Sequence, residues 1–544
     1  MTIARLLTGL VLLLSLSGAA PNAETRGQNS APPSVALMTA DDPGHGAPGW
    51  YGTTSPRTSR LPIRARPAAA QRPPNIVLIM MDDMGYADIG SFNTGEGAKS
   101  TRTPNLDRLA REGTRFTSFY VSQAVCTASR ASLLTGCYAN RVGLQGALNH
   151  TSTVGLHADE TTLAELCRAR GYATAIFGKW HLGTKAVFNP LRNGFDEFLG
   201  IPYSNDNSRF HPTERDMPPL PLYDGERVVE TDSDQSAFTR RFTQRAVAFI
   251  ERNRERPFFL YVPHVMPHVP IFASEEFRGK SAAGPYGDVI EELDTSVGEI
   301  MAALREHGLE RDTLVMALSD NGPFLSYGTH AGSARPLREG KLTTFEGGVR
   351  VPFIARWPGR VPSGRAVDDP VMTIDLLPTI AELIGAPVSV KTPERKIDGG
   401  SFRALLLGEA KARAPHEALF FYSGEELQAV RSGRWKLHFP HQYLTVDGQP
   451  GRDGKPANFG NLKPASINQS GIAGIATRHG YRVESLELSL FDLSGDIGET
   501  RNVAAKHPDV VRRLTRLAEA TREDLGDALT GVKGRGVRSA GRSE

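Results

Sequence analysis

From Asn75 onward, apolar residues fall into short unbroken runs separated by amphipathic stretches. The runs Asn75–Met81 (NIVLIMM), Tyr172–Phe177 (YATAIF), Phe258–Val262 (FFLYV), Thr313–Leu318 (TLVMAL) and Val351–Ala355 (VPFIA) lack polar alternation, so they read as strands buried on both faces. Arg115–Ser122 reads as a further strand. Between them, Thr103–Gly113, Glu160–Gly171, Gln235–Arg254, Tyr286–His307 and Asp375–Ile384 carry helical spacing, as in the stripe Ile290, Leu293, Val297, Ile300 and Leu304. Strands alternating with helices predict a doubly wound α/β domain over 73–390.

Past Gly400 the pattern changes. Ala418–Tyr422, Leu427–Arg431, Trp435–Phe439 and Leu486–Leu493 are short strands, and Asp509–Leu525 closes as a helix, which predicts a smaller antiparallel sheet plus helix over 391–530. His441–Arg482 is rich in Gly and Asn and reads as a long loop. The basic, glycine-rich tail 531–544 reads as disordered.

The amino-terminal pattern is of a third kind. Arg5, the apolar run Leu6–Leu16 and the small residues Ser17–Ala20 predict a secretory signal peptide over 1–23. Residues 24–72, rich in Pro, Ala, Gly, Ser and Arg, read as a disordered linker. A periplasmic or secreted protein without a stable membrane anchor is the expectation.

Composition narrows the classes. A chain of 544 residues with 40% hydrophobic and 23% charged residues is an ordinary globular protein, too long for one small core. A net charge of +3 gives no reason to expect nucleic-acid binding. The three cysteines exclude a disulfide scaffold, and their odd number leaves at least one thiol for other chemistry.

Candidate chemistry sits at the ends of the apolar runs. Asn75–Met81 ends in Asp82 and Asp83, and Thr313–Leu318 leads to Asp320 and Asn321. Ligands of open α/β sheets bind at the carboxyl ends of strands, so these four can converge. Four oxygen ligands, three of them charged, suit Ca²⁺ or Mg²⁺. Their negative charge would attract Arg130, Lys179 and Lys341. Lys179 and His181 can face one pocket if the backbone between them is extended. His264 and His268 lie in a proline-stiffened segment, where one of the two is expected to be structural. Cys126 opens a short helix stopped by Gly136; at that terminus the helix dipole would make the thiol acidic.

Several motifs stand in one order: MDDMG, CTASRASLLTG, GKWHLG, GIPYSND, HVMPHVP, LSDNG, GKLTTFEGGVR and LFDLSGDIGETRN. Together they resemble the type I sulfatases of the alkaline phosphatase superfamily, and most closely the arylsulfatase A-like branch, over about Pro74 to Ala505. The resemblance implies an alkaline phosphatase-like large mixed sheet flanked by helices, and hydrolysis of a sulfate ester. It makes Asp82, Asp83, Asp320 and Asn321 the ligands of Ca²⁺, or of Mg²⁺, and Cys126 the precursor of a formylglycine beside that metal, installed by a formylglycine-generating maturation enzyme. Arg130, Lys179 and His181 would hold the formylglycine hydrate, while Ser204, His268 and Lys341 would contact the sulfate. Asp320 would act as base, and His268 or Lys341 would protonate the leaving alcohol. Ala128 departs from the commoner proline, which bears on the choice of maturation enzyme. The alternatives are a phosphodiester or phosphonate monoester hydrolase of the same superfamily, or a non-catalytic relative that binds sulfated carbohydrate. A cysteine-dependent phosphatase fits less well, because C-x₃-R is the wrong spacing for its phosphate loop.

Overall fold

The computed structural model describes residues 72–93, 101–392, 394–446, 451, 454–457 and 471–543. The expected signal peptide, and the expected linker up to residue 71, lie outside them. Among the described residues, no helix is long and apolar enough to cross a membrane.

Ten strands form one continuous path across a large sheet. At its centre, Thr313–Ser319, Asn75–Met81, Phe258–Pro263, Ala173–Lys179 and Glu197–Ile201 lie side by side, all parallel. Arg350–Arg356 pairs antiparallel with Thr313–Ser319 on one flank and with Thr114–Tyr120 beyond it. The antiparallel pair Pro221–Asp224 and Arg227–Thr231 ends the other flank. The sheet is mixed and doubly wound, as the apolar runs imply.

Every residue of Asn75–Met81 is buried, and its side chains divide between two cores. Ile76, Leu78 and Met80 pack on one face with the helices Cys126–Thr135, Leu163–Ala169 and Leu376–Ile384. Val77, Ile79 and Met81 pack on the other with Pro104–Glu112, Phe238–Arg252 and Gly284–Glu306. Helices on both faces explain why these strands read as continuous apolar runs rather than alternating ones.

The second sheet is antiparallel, in the order Leu419–Ser423, Glu426–Ser432, Trp435–His438 and Ser489–Asp492, and the helix Pro508–Leu525 packs on it. Its apolar face is not a separate core: Phe421, Leu437 and Leu514 belong to the same cluster as Phe119 and Phe353 of the large sheet. The described residues from Arg72 onward accordingly belong to one compact unit that holds both sheets.

Two expectations are corrected. Residues 441–482 are not simply a loop: His441–Thr445 pairs with Arg482–Leu486, and Gly471–His479 is a helix. The tail is ordered. Arg538 is fastened to the buried Glu160 carboxylate at 2.7 Å, and Gly541–Arg542 adds antiparallel to Val154–Gly155. Its basic charge, which reads as solvated in isolation, has a carboxylate partner 378 residues earlier in the chain.

Candidate active site

Parallel strands deliver their carboxyl ends to one rim. In register, Met81 lies opposite Ser319, so Asp82 and Asp320 follow side by side. Lys179 ends Ala173–Lys179, one strand beyond Phe258–Pro263, Ser204 follows Glu197–Ile201, and His264 and His268 follow Phe258–Pro263. Thr114–Tyr120 also runs toward this rim and leads to Cys126, whereas the antiparallel Arg350–Arg356 begins there and is fed by the segment carrying Lys341. A Cβ on Gly322 would meet the Gly347 carbonyl oxygen at 1.8 Å, so only glycine lets the Asp320–Asn321 segment pack on that feeding turn.

Cys126 opens the helix Cys126–Thr135, which Gly136 stops in the left-handed conformation at φ 69°. The sulfur lies 3.4 Å from Asp82 Oδ1 and 4.0 Å from Asp83 Oδ1, and Lys341 Nζ approaches it to 3.3 Å. This arrangement overturns the expectation of an acidic thiol. Burial and the Asp82 carboxylate push it well above the ordinary thiol range, outweighing the nearby lysines.

The three cations expected around the carboxylates are all present and buried. Lys179 Nζ is 2.6 Å from Asp82 Oδ2. Arg130 donates through Nε and Nη2 to Asp320 Oδ2 at 3.1 and 2.8 Å. Lys341 Nζ is 2.7 Å from Asp83 Oδ1. Burial raises Asp82, but Lys179 and Arg130 outweigh it and hold its carboxyl below the ordinary value. Asp320 goes the other way: burial and the neighbouring Asp82 charge raise it.

Three residues of this rim have left-handed backbone without being glycine: Asp83 (φ 67°), His181 (φ 61°) and Leu342 (φ 71°). Such conformations persist only where surrounding contacts fix them. His181 is therefore not on the extended backbone expected between it and Lys179. Its Nε2 bonds the Leu148 carbonyl at 2.6 Å, and its buried Nδ1 has no hydrogen-bond partner among the described residues. Burial and Lys179 hold its imidazole well below the ordinary range, hence neutral.

The donor set fits a hard cation. Asp82, Asp83, Cys126 and His268 each offer a ligand atom within 4.8 Å of the others. Asn321 donates through Nδ2 to Asp83 Oδ1 at 2.7 Å, while its Oδ1 is a buried acceptor with no partner among the described residues. A buried acceptor oxygen beside carboxylates suits an oxygen-seeking cation. The proximity of His268 was not expected of a metal ligand; its Nε2 lies 3.5 Å from Asp83 Oδ2.

His268 is turned by its neighbours. Nδ1 contacts the Val269 carbonyl at 2.5 Å, and Ser204 Oγ lies 3.4 Å from Nε2 and 3.3 Å from Lys179 Nζ. His264 is the structural one of the pair: buried against the Ser296 hydroxyl at 3.2 Å, it is pushed down to about 4 by burial.

Above Cys126 opens a cavity of about 880 Å³, walled by 145–152, by 204–211, by Gly471–His479 and by the turn of the second sheet at 423–426. Sequence reasoning missed much of this wall. Asp206 closes the GIPYSND motif, but no role is read for it there. Phe324, whose ring lies 4.5 Å from Lys341 Nζ, reads as an ordinary apolar residue.

The sulfatase family model matches residues 74–386, and a second, for the C-terminal region of aryl-sulfatase, matches 414–533. The chain belongs to the sulfatase family. Arylsulfatase A of Homo sapiens is 38% identical over 507 residues, covering 88% of this sulfatase and 92% of the human protein. Arylsulfatase A of Bos taurus is 44% identical over 398 residues, covering 68% and 76%. Among solved structures, the PsFucS1 sulfatase from Pseudoalteromonas sp. superposes with a TM-score of 0.69 at 26% identity, covering 83% of this sulfatase and 90% of that chain. This sulfatase is a sulfuric ester hydrolase.

Proposed function

We propose that this sulfatase cleaves its sulfate ester with a formylglycine derived from Cys126, beside a divalent cation held by Asp82, Asp83, Asp320 and Asn321, and that it works after export. The observation that carries the reading is the position of the Cys126 sulfur: it is buried 3.4 Å from Asp82 Oδ1, 4.0 Å from Asp83 Oδ1 and 3.3 Å from Lys341 Nζ, within the cluster whose atoms could hold a cation. Ca²⁺ suits these ligands best, with Mg²⁺ as the other hard cation. When bound, the cation supplies positive charge for the sulfuryl oxygens, and the formylglycine supplies the oxygen nucleophile that a thiol lacks.

The remaining work falls to the chain's own groups. Arg130 and Lys179 hold Asp320 and Asp82 in fixed orientation at 2.8 and 2.6 Å. The partnerless Nδ1 of His181 is available to a hydroxyl at residue 126. Lys341, already within 3.3 Å of that position, and Ser204 are placed to bind sulfuryl oxygens as charge builds on them. His268, oriented through the Val269 carbonyl, can deliver a proton from Nε2 to the departing alcohol, as can Lys341. Asp320 accepts from Arg130 twice on Oδ2 and from Asp83 N once on Oδ1, so a second lone pair on Oδ1 is left for a role as base. Export rests on the amino-terminal pattern from Arg5 to Ala23.

Mass spectrometry of the peptide containing Cys126, from protein that releases sulfate, tests the central step. Conversion of thiol to aldehyde is the expected result, and an unmodified cysteine in fully active enzyme would refute it. Paired aryl sulfate and aryl phosphodiester substrates measure the preference for sulfur. Fractionation of the producing cell locates the protein.

A further inference from the structure

The far wall of the cavity above Cys126 comes from the second sheet, and it is acidic. Gly424 and Glu425 form the turn between Leu419–Ser423 and Glu426–Ser432. Gln123 Nε2 and Asn140 Nδ2 both donate to the Gly424 carbonyl, at 3.1 and 2.9 Å, which fastens the turn to the segment running into Cys126. From the other side, Ala528 N donates to the Glu425 carbonyl at 2.9 Å. The Glu426 carboxylate accepts from Gln428 Nε2 at 2.8 Å, and Gln428 Oε1 accepts from Thr344 Oγ1 at 3.0 Å, three residues from Lys341. On the opposite wall Asp206 adds a third carboxylate, accepting from Asn207 Nδ2 at 3.0 Å.

Among the described residues, little positive charge balances these groups. The cations at the cavity floor are already matched, Lys341 with Asp83, Lys179 with Asp82 and Arg130 with Asp320. Higher up, Arg478 is the one Lys or Arg that lines the cavity among the described residues besides Lys341, and it faces the carboxylates of Glu214 and Asp206. The two imidazoles there, His211 and His479, are both shifted toward the neutral form by burial. Among the described residues, the sulfate thus enters a cationic floor, while the rest of the substrate meets three carboxylates against one guanidinium.

We infer that Glu425 and Glu426, with Asp206 opposite, select the alcohol part of the substrate by charge: a neutral or cationic leaving group is accepted, and one carrying a second anionic group, a carboxylate or a further sulfate, is rejected. The inference rests on the sulfate-ester reading, and on that ester's alcohol occupying this cavity. Each exposed carboxylate within several ångströms of such a group changes the preference roughly threefold to tenfold at low ionic strength, less as salt is added.

Three aryl sulfates that differ only at the far end of the ring provide the test: 4-carbamoylphenyl, 4-carboxyphenyl and 4-(aminomethyl)phenyl sulfate. In wild-type enzyme at low salt, kcat/KM should favour the carboxamide over the carboxylate by roughly tenfold or more, with added sodium chloride narrowing the gap. In the double variant Glu425→Gln, Glu426→Gln that ratio should shrink by at least about threefold, and the ammonium ester should lose ground relative to the carboxamide. A wild-type ratio near one, or a ratio the double variant leaves unchanged, overturns the inference. If wild-type enzyme turned over none of the three, the catalytic reading would be at fault; calorimetric affinities for the same esters then give the same comparison, with the same two outcomes.

Discussion

Lys341 Nζ lies 3.3 Å from the Cys126 sulfur and 2.7 Å from Asp83 Oδ1, so one ammonium joins the first residue of the helix Cys126–Thr135 to the end of the central strand. Burial opposes its charge, but the carboxylates of Asp83, Asp82 and Asp320 outweigh that and hold the ammonium well above its ordinary range. The ring of Phe324 covers it. A buried charge so placed is suited to the oxygens of a sulfuryl group.

Lys341→Met is therefore expected to lower kcat/KM for an aryl sulfate by roughly a hundredfold to a thousandfold, the range found on removing one preorganised donor from a site of developing charge. Arginine at this position should not restore activity, because the forked head is larger and the space is bounded by Phe324 and Asp83. Steady-state kinetics with matched formylglycine content give the answer. A value within tenfold of wild type would remove Lys341 from contact with the substrate.

The parts of this architecture that could be read from the chain are those fixed by local pattern. Asn75–Met81 needs apolar residues at every position because helices cover both its faces, and a run of that kind announces itself. Asp82, Asp83, Asp320 and Asn321 stand where such runs stop, so their convergence follows from parallel pairing. Contacts between distant segments leave no such trace. Lys436 looks like an outward residue in WKLH, yet it is fully buried, 2.9 Å from Glu346 and 3.1 Å from Glu499. The Cys126 thiol illustrates a different gap: its helix terminus was legible, but the burial and the Asp82 charge that override the dipole come from the fold. Asp206, Glu425 and Glu426 line the cavity only because two sheets meet there.

Arg141 is the clearest of these long-range ties. Its guanidinium bonds Asp398 at 2.6 Å and Asp524 at 2.6 Å, joining the segment after the Cys126 helix to the connection before the second sheet and to the closing helix. The Arg141 and Asp398 side chains are only 2% and 7% exposed, so Arg141→Ala would strand a buried carboxylate. A loss of about 2–4 kcal/mol in unfolding free energy is expected, somewhat less than for a wholly buried pair because Asp524 is 28% exposed. Lysine should recover a minor part, since it cannot fork between two carboxylates. Urea unfolding measures this, and a loss below about 1 kcal/mol would show the cluster to be no stronger than a surface pair.

The ordered tail reaches the rim that carries Cys126 through a single strand. Gly541–Arg542 pairs with Val154–Gly155, Leu156 N donates to the Leu182 carbonyl at 2.8 Å, and Thr184 Oγ1 donates to the Ser152 carbonyl at 3.0 Å. His181 immediately precedes these anchors and bonds the Leu148 carbonyl on the same stretch. Truncation after Lys533 should therefore lower the melting temperature by about 1–2 °C, as expected for losing about 1–2 kcal/mol from a unit of this size. It should also lower kcat more than it raises KM. The single change Arg538→Gln, which removes the pair with Glu160, should give a smaller loss in the same direction. Wild-type kinetics from the truncated enzyme would disconnect the tail from His181.

His416 supplies a stability term that depends on pH. Burial works against its imidazolium, but the Asp375 carboxylate, 2.5 Å from Nε2, outweighs burial with help from Asp398 and raises the histidine above its ordinary value. Asp375 is itself fixed, accepting from Met372 N and Gly400 N at 2.9 Å each, so the ion pair ties the approach to the second sheet onto the large domain. For a group whose folded pKa is raised, the stabilisation is complete below the unfolded pKa, about 6.5, and disappears as pH rises through the higher folded value. His416→Gln should accordingly cost about 1 kcal/mol at pH 5.5 and much less at pH 8.5. Guanidinium unfolding of both proteins at the two pH values decides it. An equal deficit at both would mean that His416 contributes by packing or a neutral hydrogen bond, and that its charge has no part in holding the second sheet in place.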